Sequence, residues 1–288
     1  ADLAYTAASY SDLTVDGYDL LAFKTVDNRG FNLPTVPSGA VTGDGVAAGN
    51  DFTSDVEVRR AINIGIDREE MIENVLNGYG TPAYSVCDKM PWYNEEAEVE
   101  YDPDKAKEIL ADAGYQDTDG DGILDKDGVN LSFKVLTYSY NDNCIQLADM
   151  LQAELSQIGI ELSIETQDVL DDPLASGDFD LAILNYAMAP IGTPSYFINM
   201  LFTTGASNNY GGYSNEKVDA LAAEIGTTSD NDKVVSLTRE LEQQVLDDMP
   251  FAFVADQQLI FVYSNKVKGV QINPTEYYLV TNTLSVEE

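Results

Sequence analysis

A run of aspartates and glycines at residues 117–128 is the part of the sequence best suited to holding a metal ion. Aspartates stand at alternate positions, Asp117, Asp119 and Asp121, and the glycine that follows permits a tight turn. This spacing wraps carboxylate oxygens around one hard cation, and the carbonyl oxygen of Ile123 occupies the seventh position of such a loop. The pattern predicts a calcium-binding loop.

The loop departs from the EF-hand pattern at its end. The twelfth position carries Gly128 where a bidentate glutamate would stand, so Asp125 or Asp127 would have to complete the ligand shell. A solvated turn without metal is the alternative. If calcium binds, we expect it to fix the shape of the loop and to take no part in catalysis.

The sequence offers little for enzymatic chemistry. It contains no histidine, which removes the commonest general base and metal ligand. Neither Cys87 nor Cys144 has a partner base, although the two could form one disulfide or remain unrelated thiols. No Walker loop, dinucleotide fingerprint or GxSxG elbow occurs. We therefore expect a binding protein, with a carboxylate-dependent hydrolase and a structural surface domain as alternatives.

The charge balance narrows the range of partners. Fifty acidic residues stand against 15 basic ones, giving a formal charge of −35, so we expect no binding to nucleic acid or anionic lipid. The acidity could serve solubility, an acidic or saline habitat, or attraction of cationic solutes. No run approaches the ~20 apolar residues of a membrane-spanning helix, and the first residues lack signal-peptide features. We expect a mature or trimmed chain.

Hydrophobic periodicity predicts an α/β fold with helices covering a mixed sheet. A strand, an amphipathic helix and a second strand at 131–138, 145–158 and 160–165 form a βαβ unit with parallel strands. The remaining elements are predicted as follows: strands at 18–23, 179–186, 251–255 and 259–263; helices from 58 to 78 with a second start at Asp67, from Pro103 to 113, from Pro194, and at 215–225 and 230–247.

One segment carries a resemblance to a known family. Residues 58–69 read VRRAINIGIDRE and resemble the signature of the family 5 extracellular solute-binding proteins, the peptide and nickel receptors of ABC importers. Further matching motifs follow in the family's order: GYGTPA at 78–83, YDPDKAKEIL at 101–110, AGY at 113–115, LSQIGI at 155–160, GDFDLA at 177–182 and GYSNEKVD at 212–219. The resemblance extends from residue 55 to about residue 270.

The resemblance implies a periplasmic-binding-protein-like lobe of type II. Whole members of the family have two lobes joined by a hinge, with the ligand enclosed between them. The expected division is a remnant of the first lobe and the hinge at 1–55, the second lobe at 56–250, and return strands with a further remnant at 251–288. A periplasmic or lipid-anchored location, a permease partner and a monomeric state are also implied.

The resemblance also implies which residues meet the ligand. They are Asn185, Tyr186, Met188, Tyr196 and Phe197, with the loop residue Trp92 as a further candidate; packing in the core or hinge is the alternative for the aromatic ones. Peptide-binding members place an aspartate four residues before the proline equivalent to Pro194, where it pairs with the peptide's amino group. Here that position is Pro190.

We therefore expect a receptor for short peptides or a similar small polar solute. A nickel-chelate receptor is the alternative within the family. Because the chain has no histidine, a nickel site would depend on the chelator or on the lobe that is missing.

Overall fold

The computed structural model describes residues 2–12, 14–41, 45, 47–85, 90–187, 192–272 and 281–287. The helices are α1 (Val56–Ile64), α2 (Arg68–Leu76), α3 (Pro103–Asp112), α4 (Asp142–Gln157), α5 (Asp171–Ser176), α6 (Ser195–Phe197), α7 (Glu216–Thr227) and α8 (Asn231–Asp248). Short 3-10 turns at Ala8–Tyr10 and Glu95–Ala97 and a π-turn at Ile198–Phe202 complete the helical part.

The strands are β1 (Leu3–Thr6), β2 (Tyr18–Asn32), β3 (Ala40–Val41), β4 (Ala47–Ala48), β5 (Gly80–Pro82), β6 (Asp125–Lys126), β7 (Val129–Asn130), β8 (Ser132–Tyr138), β9 (Glu161–Gln167), β10 (Leu181–Ala187), β11 (Phe251–Ser264), β12 (Val267–Lys268) and β13 (Ser285–Val286). Seven of them form one mixed sheet in the order β1-β11-β2-β10-β8-β9, with β5 paired to β11. The other strands form three two-stranded sheets, β3 with β4, β6 with β7 and β12 with β13.

The βαβ unit has the predicted form. Strands β8 and β9 run parallel in register from Ser132 opposite Glu161 to Tyr138 opposite Gln167, and α4 connects them. Strand β10 then adds in parallel on the other side of β8. The α/β fold with a mixed sheet between helices is thereby confirmed.

The two longest strands differ from the prediction. The strand expected at 18–23 continues to Asn32, and the strands expected at 251–255 and 259–263 are the single strand β11. Polar residues interrupt the apolar pattern in both, but they stay in the sheet because they pair with each other. The Asn28 amide donates to the Asp256 carboxylate at 3.0 Å, and Thr25 Oγ1 donates to the Gln257 carbonyl at 2.6 Å.

Helices cover both faces of the sheet, which gives the molecule two main hydrophobic cores. Alternate residues of β10 point to opposite faces: Leu181 and Ile183 join the core under α1 to α4, and Ala182 and Leu184 join the core under α5 to α8. A small third cluster of Phe23, Leu259 and Phe261 lies at the far halves of β2 and β11. Within the described ranges, no helix is long and apolar enough to cross a bilayer.

Two buried arginines of the segment 58–69 join helices to the sheet. Arg68 Nε donates to the carbonyls of Ala83 and Phe253 at 3.1 and 2.7 Å, so it ties the start of α2 to β11. Arg59 makes its hydrogen bonds to backbone carbonyls as well. The arginines that mark this segment therefore stabilise the fold.

Candidate functional site

The carboxyl ends of the three parallel strands lie at one edge of the sheet. Strands β8, β9 and β10 end at Tyr138, Gln167 and Ala187, and their parallel pairing brings these ends together. Ligands of open α/β sheets bind in the crevice beyond such ends. We call this edge, with the segments that follow the strands, the carboxyl edge.

Two predicted ligand residues lie at the end of β10. Asn185 and Tyr186 stand opposite Arg29 and Asn28 of β2, and both are half-buried. The Tyr186 hydroxyl accepts a hydrogen bond of 3.1 Å from the Asn208 side-chain amide. Burial is the largest of the effects that raise the pKa of Tyr186 well above its usual range, so this phenol stays protonated.

A buried ion pair on β2 stands beside these residues. The Arg29 guanidinium donates to both carboxylate oxygens of Asp27, at 2.9 and 3.0 Å, and both side chains are almost fully buried. Such a two-pronged contact fixes the geometry of both groups. The positive charge opposite Asn185 in the sheet is therefore already matched by a carboxylate.

The other predicted ligand residues occupy different environments. Tyr196 is 42% exposed at the start of α6, whereas Phe197 is fully buried and packs edge-to-face on Phe202. Trp92 is buried in the core under α5 to α8, and its indole nitrogen has no partner in the described part of the chain. Met188 lies outside the described residues, as does Pro190.

The structure brings further side chains to the carboxyl edge that the sequence analysis did not single out. Tyr138 ends β8, and Tyr140 follows with its ring centroid 5.4 Å from that of Tyr138. Tyr210 packs against the same core as Tyr138 and Tyr186. The sequence did contain a signal for these residues, because Tyr138-Ser139-Tyr140 places aromatic residues at the very end of a predicted parallel strand.

The three alternating aspartates of the acidic loop converge. Carboxylate oxygens of Asp117, Asp119 and Asp121 lie within 4.8 Å of one another on the surface. Asp117 accepts hydrogen bonds from the backbone N–H groups of Gly120 and Gly122, at 2.7 and 3.1 Å, which shape the loop. Oxygen ligands in this arrangement suit a calcium ion.

Asp125, expected to complete the calcium shell, makes different contacts. Its carboxylate accepts hydrogen bonds from Thr118 Oγ1 and Thr118 N at 2.6 and 2.9 Å, which hold the pKa of Asp125 below its usual range. The backbone of Ile123 follows the three aspartates and donates to Asp121 at 2.8 Å. The loop adjoins Gly159, at the amino end of β9, and so lies at the end of the sheet opposite the carboxyl edge.

The cysteine environment is apolar. Cys144 is fully buried in the first turn of α4, and burial raises the pKa of its thiol to about 11. Cys87 lies outside the described residues, so a disulfide between the two stays a prediction.

Comparison with known proteins gives a consistent family. The sequence model of the bacterial extracellular solute-binding proteins, family 5, matches residues 11–209. The oligopeptide-binding protein AppA of Bacillus subtilis is 30% identical over 235 residues, which are 78% of this chain and 43% of that protein. The nickel-binding protein NikA of Staphylococcus aureus is 25% identical over 232 residues, 80% of this chain and 45% of that protein.

Solved structures agree on the fold. The structure of AppA from Bacillus subtilis in complex with a nonapeptide superposes with a TM-score of 0.83 at 22% sequence identity. The match covers 100% of this chain and 56% of that one. The chain thus spans less than half the length of the two curated relatives and little more than half of the solved structure.

Proposed function

Because the chain belongs to the bacterial extracellular solute-binding proteins of family 5, we propose that it is the solute-binding lobe of an ABC importer's receptor. The solute is a short peptide or a similar small polar molecule, which the receptor captures and hands to a membrane permease. The observation that carries this proposal is the family match over residues 11–209. The similarity to an oligopeptide-binding protein favours peptides within the family.

The carboxyl edge is the proposed contact surface for the solute. It combines half-buried tyrosines, the Asn208 amide and the exposed Tyr140, a mixture of apolar surface and hydrogen-bonding groups that suits a small polar ligand. Asn185 and Tyr196 belong to this surface in the proposal, and Met188, outside the described residues, stays a predicted ligand residue. Phe197 and Trp92 support it from the core.

A second lobe is part of the proposal, because the chain spans less than half of its curated relatives. In this division residues 1–55 contain a remnant of the first lobe and the hinge, residues 56–250 form the second lobe, and residues 251–288 contain return strands and a further remnant of the first lobe. A solute that contacts both lobes stabilises the closed arrangement. One lobe alone should therefore bind more weakly than the whole receptor.

A nickel chelate is the second candidate solute, because a nickel-binding protein is among the similar relatives. With no histidine in the chain, this lobe could hold such a complex only through its organic chelator. Aromatic and amide groups at the carboxyl edge are compatible with that contact.

The proposal includes no catalysis. The Cys144 thiol is buried with a raised pKa, and Tyr186 stays protonated, so neither is an activated nucleophile or base. Turnover of an ester or glycoside by the purified protein would favour the alternative hydrolase. Further parts of the proposal are a location outside the cytoplasmic membrane through a lipid anchor or secretion, a monomeric state, and no nucleic-acid partner, as the charge of −35 suggests.

Calcium is the proposed ion of the acidic loop, with Asp117, Asp119 and Asp121 as side-chain ligands and Ile123 as a carbonyl ligand. The convergence of the three carboxylates supports this, whereas Asp125, whose Oδ2 accepts from Thr118, is not part of that group of three. The role is structural, because the loop lies away from the carboxyl edge.

The test compares this chain with the complete receptor by thermal unfolding and calorimetry. The ligands are di- to pentapeptides and nickel with histidine. Stabilisation of the complete receptor by peptides, with weaker binding to this chain, is the expected result. Stabilisation by the nickel mixture alone would favour the nickel-chelate receptor over the peptide receptor. If neither the peptides nor the nickel mixture binds, the proposal is wrong.

A further inference from the structure

Four tyrosines gather at the carboxyl edge, and we call them the tyrosine cluster: Tyr138, Tyr140, Tyr186 and Tyr210. Tyr138 and Tyr186 lie on the same face of neighbouring parallel strands, since Leu136 and Ala182 are paired and side chains alternate. Tyr140 is 71% exposed, and the other three are half-buried. The cluster therefore presents aromatic surface to solvent at the place where ligands of such sheets bind.

The nearby charge is negative. Asp171, at the first position of α5, is exposed, and its charge helps to raise the pKa of Tyr138, Tyr186 and Tyr210, in each case after the larger effect of burial. Burial and these neighbours raise the pKa of Tyr138 to about 12. The hydroxyls of Tyr138, Tyr186 and Tyr210 stay protonated at physiological pH, so these rings keep the neutral, electron-rich faces that attract cations.

The segments that build the carboxyl edge carry no basic residue. Between Lys134 and Lys217 the sequence contains no lysine, arginine or histidine, and this stretch includes β9, β10, α4, α5 and all four tyrosines. The arginine that reaches the edge from β2, Arg29, is held by both carboxylate oxygens of Asp27. A ligand carboxylate or phosphate would find no unmatched cation on these segments, whereas a ligand cation would find Asp171 and four aromatic rings.

From this arrangement we propose that the tyrosine cluster and Asp171 bind the cationic head of the solute, an organic ammonium group. This inference rests on the proposed receptor function and specifies its ligand. The ammonium contacts the ring faces and the Asp171 carboxylate, and the Tyr186 oxygen, which accepts one hydrogen bond from Asn208, keeps a lone pair for an ammonium N–H. Peptide-binding members of the family pair the amino group with an aspartate at the position of Pro190. In this proposal the tyrosine cluster and Asp171 hold the head group instead.

The test uses the complete receptor and ligand pairs that differ in charge. Choline is compared with 3,3-dimethylbutan-1-ol, its neutral isostere, free dipeptides with their N-acetylated forms, and putrescine with N,N′-diacetylputrescine. We expect the member of each pair that carries the ammonium group to bind about tenfold more tightly. Preference within the choline pair identifies a quaternary head, and preference within the amine pairs identifies a primary one.

Two sets of variants assign the preference to the cluster. Asp171→Asn should remove most of the charge discrimination, whereas Asp172→Asn, the next exposed residue of α5, should leave it unchanged. The Tyr140→Phe receptor should bind the ammonium ligands with an affinity within about twofold of that of the unmodified receptor. Tyr140→Leu, which loses the ring, should weaken this binding about fivefold.

The outcomes separate this inference from the proposed function. Peptides that bind equally well with free and acetylated amines leave the receptor function intact and overturn the cationic head. Discrimination that survives Asp171→Asn and Tyr140→Leu overturns the assignment to this cluster. No binding of any probe, peptides included, overturns the receptor function and this inference together.

Discussion

The guanidinium of Arg59 donates from Nε and Nη2 to the carbonyl oxygen of Asp248, at 3.0 and 2.7 Å, and thereby caps the carboxyl end of α8 from α1. Its Nη1 donates to the carbonyls of Thr53 and Ser54 at 2.5 and 3.1 Å. One buried side chain thus satisfies three carbonyl groups from two distant parts of the chain. The planar, forked guanidinium is the side chain best suited to this task.

Arg59→Ala should lower the free energy of unfolding by about 3 kcal/mol, because it leaves buried carbonyl groups without donors. The neighbour Arg60 provides the control, since its partner among the described residues is Glu57, three positions away on the helix, in a half-exposed contact. Arg60→Ala should cost less than about 1 kcal/mol. Urea denaturation measures both variants, and equal losses would contradict the capping role.

The buried carboxyl group of Glu154 should make the free energy of unfolding depend on pH. Its side chain is 4% exposed, and Oε2 accepts a hydrogen bond of 3.1 Å from the N–H of Asp67 at the start of α2. Burial, with smaller contributions from Asp67 and Glu70, raises the pKa of Glu154 to about 8. The folded state therefore holds the proton more tightly than the unfolded chain, in which the pKa is close to 4.5.

This stabilisation is complete below pH 4.5 and is lost as the pH rises to about 8. Between those values the free energy of unfolding should fall by roughly 2 to 4 kcal/mol relative to Glu154→Gln, which keeps the acceptor and cannot ionise. Denaturation of both proteins at pH 5 and pH 8 measures the difference. Parallel pH profiles would show that folding does not raise the pKa of Glu154, and would contradict the prediction.

The backbone conformation and the packing at Gly159 leave no room for a side chain. Its φ is +82°, and an added Cβ would lie 2.6 Å from Cγ of Leu124. Gly205 has a similar φ of +74° and open space around it, so Gly205→Ala isolates the backbone strain, about 1 kcal/mol. Gly159→Ala should destabilise the protein by about 2 kcal/mol more, as seen in urea denaturation. Equal costs would mean that Leu124 moves aside freely.

Calcium should raise the unfolding temperature. At about 100 times its dissociation constant, the ion would add about 2.7 kcal/mol to the stability. Asp119→Ala should abolish the response, whereas Asp112→Ala, an exposed aspartate at the end of α3, should retain it. A calcium response that persists in Asp119→Ala would point to general screening of the negative surface. The absence of any response in the unmodified protein would leave the loop a solvated turn.

Local patterns predicted most of the helices and the βαβ unit. The starts of α2, α3, α7 and α8 have side-chain caps from Asp67, Asp102, Asn215 and Asp230, so short-range signals were sufficient there. The length of β2 and β11 was not predicted. Their polar residues are stabilised by partners more than 200 positions away, such as Asn28 with Asp256, and no local pattern reveals such pairing.

The candidate site was predicted only in part for the same reason. Asn185 and Tyr186 were implied by family resemblance, and the structure places them at the carboxyl edge. Tyr138 and Tyr210 join Tyr186 only because strand β8 pairs with β10 and the segment after α6 folds back on them. The burial of Phe197 likewise depends on packing against Phe202, which the aromatic pattern alone does not distinguish from exposure.

The pairing of β2 with β11 also determines when the protein can fold. Thr25 and Gln257, which meet in this pairing, are 232 residues apart, and β11 lies between β1 and β2 in the sheet. During synthesis the chain must therefore grow by 232 residues beyond Thr25 before Gln257 is available to pair with it. Since contacts of such high sequence separation slow folding, we expect this part of the sheet to close slowly, and only after β11 is made.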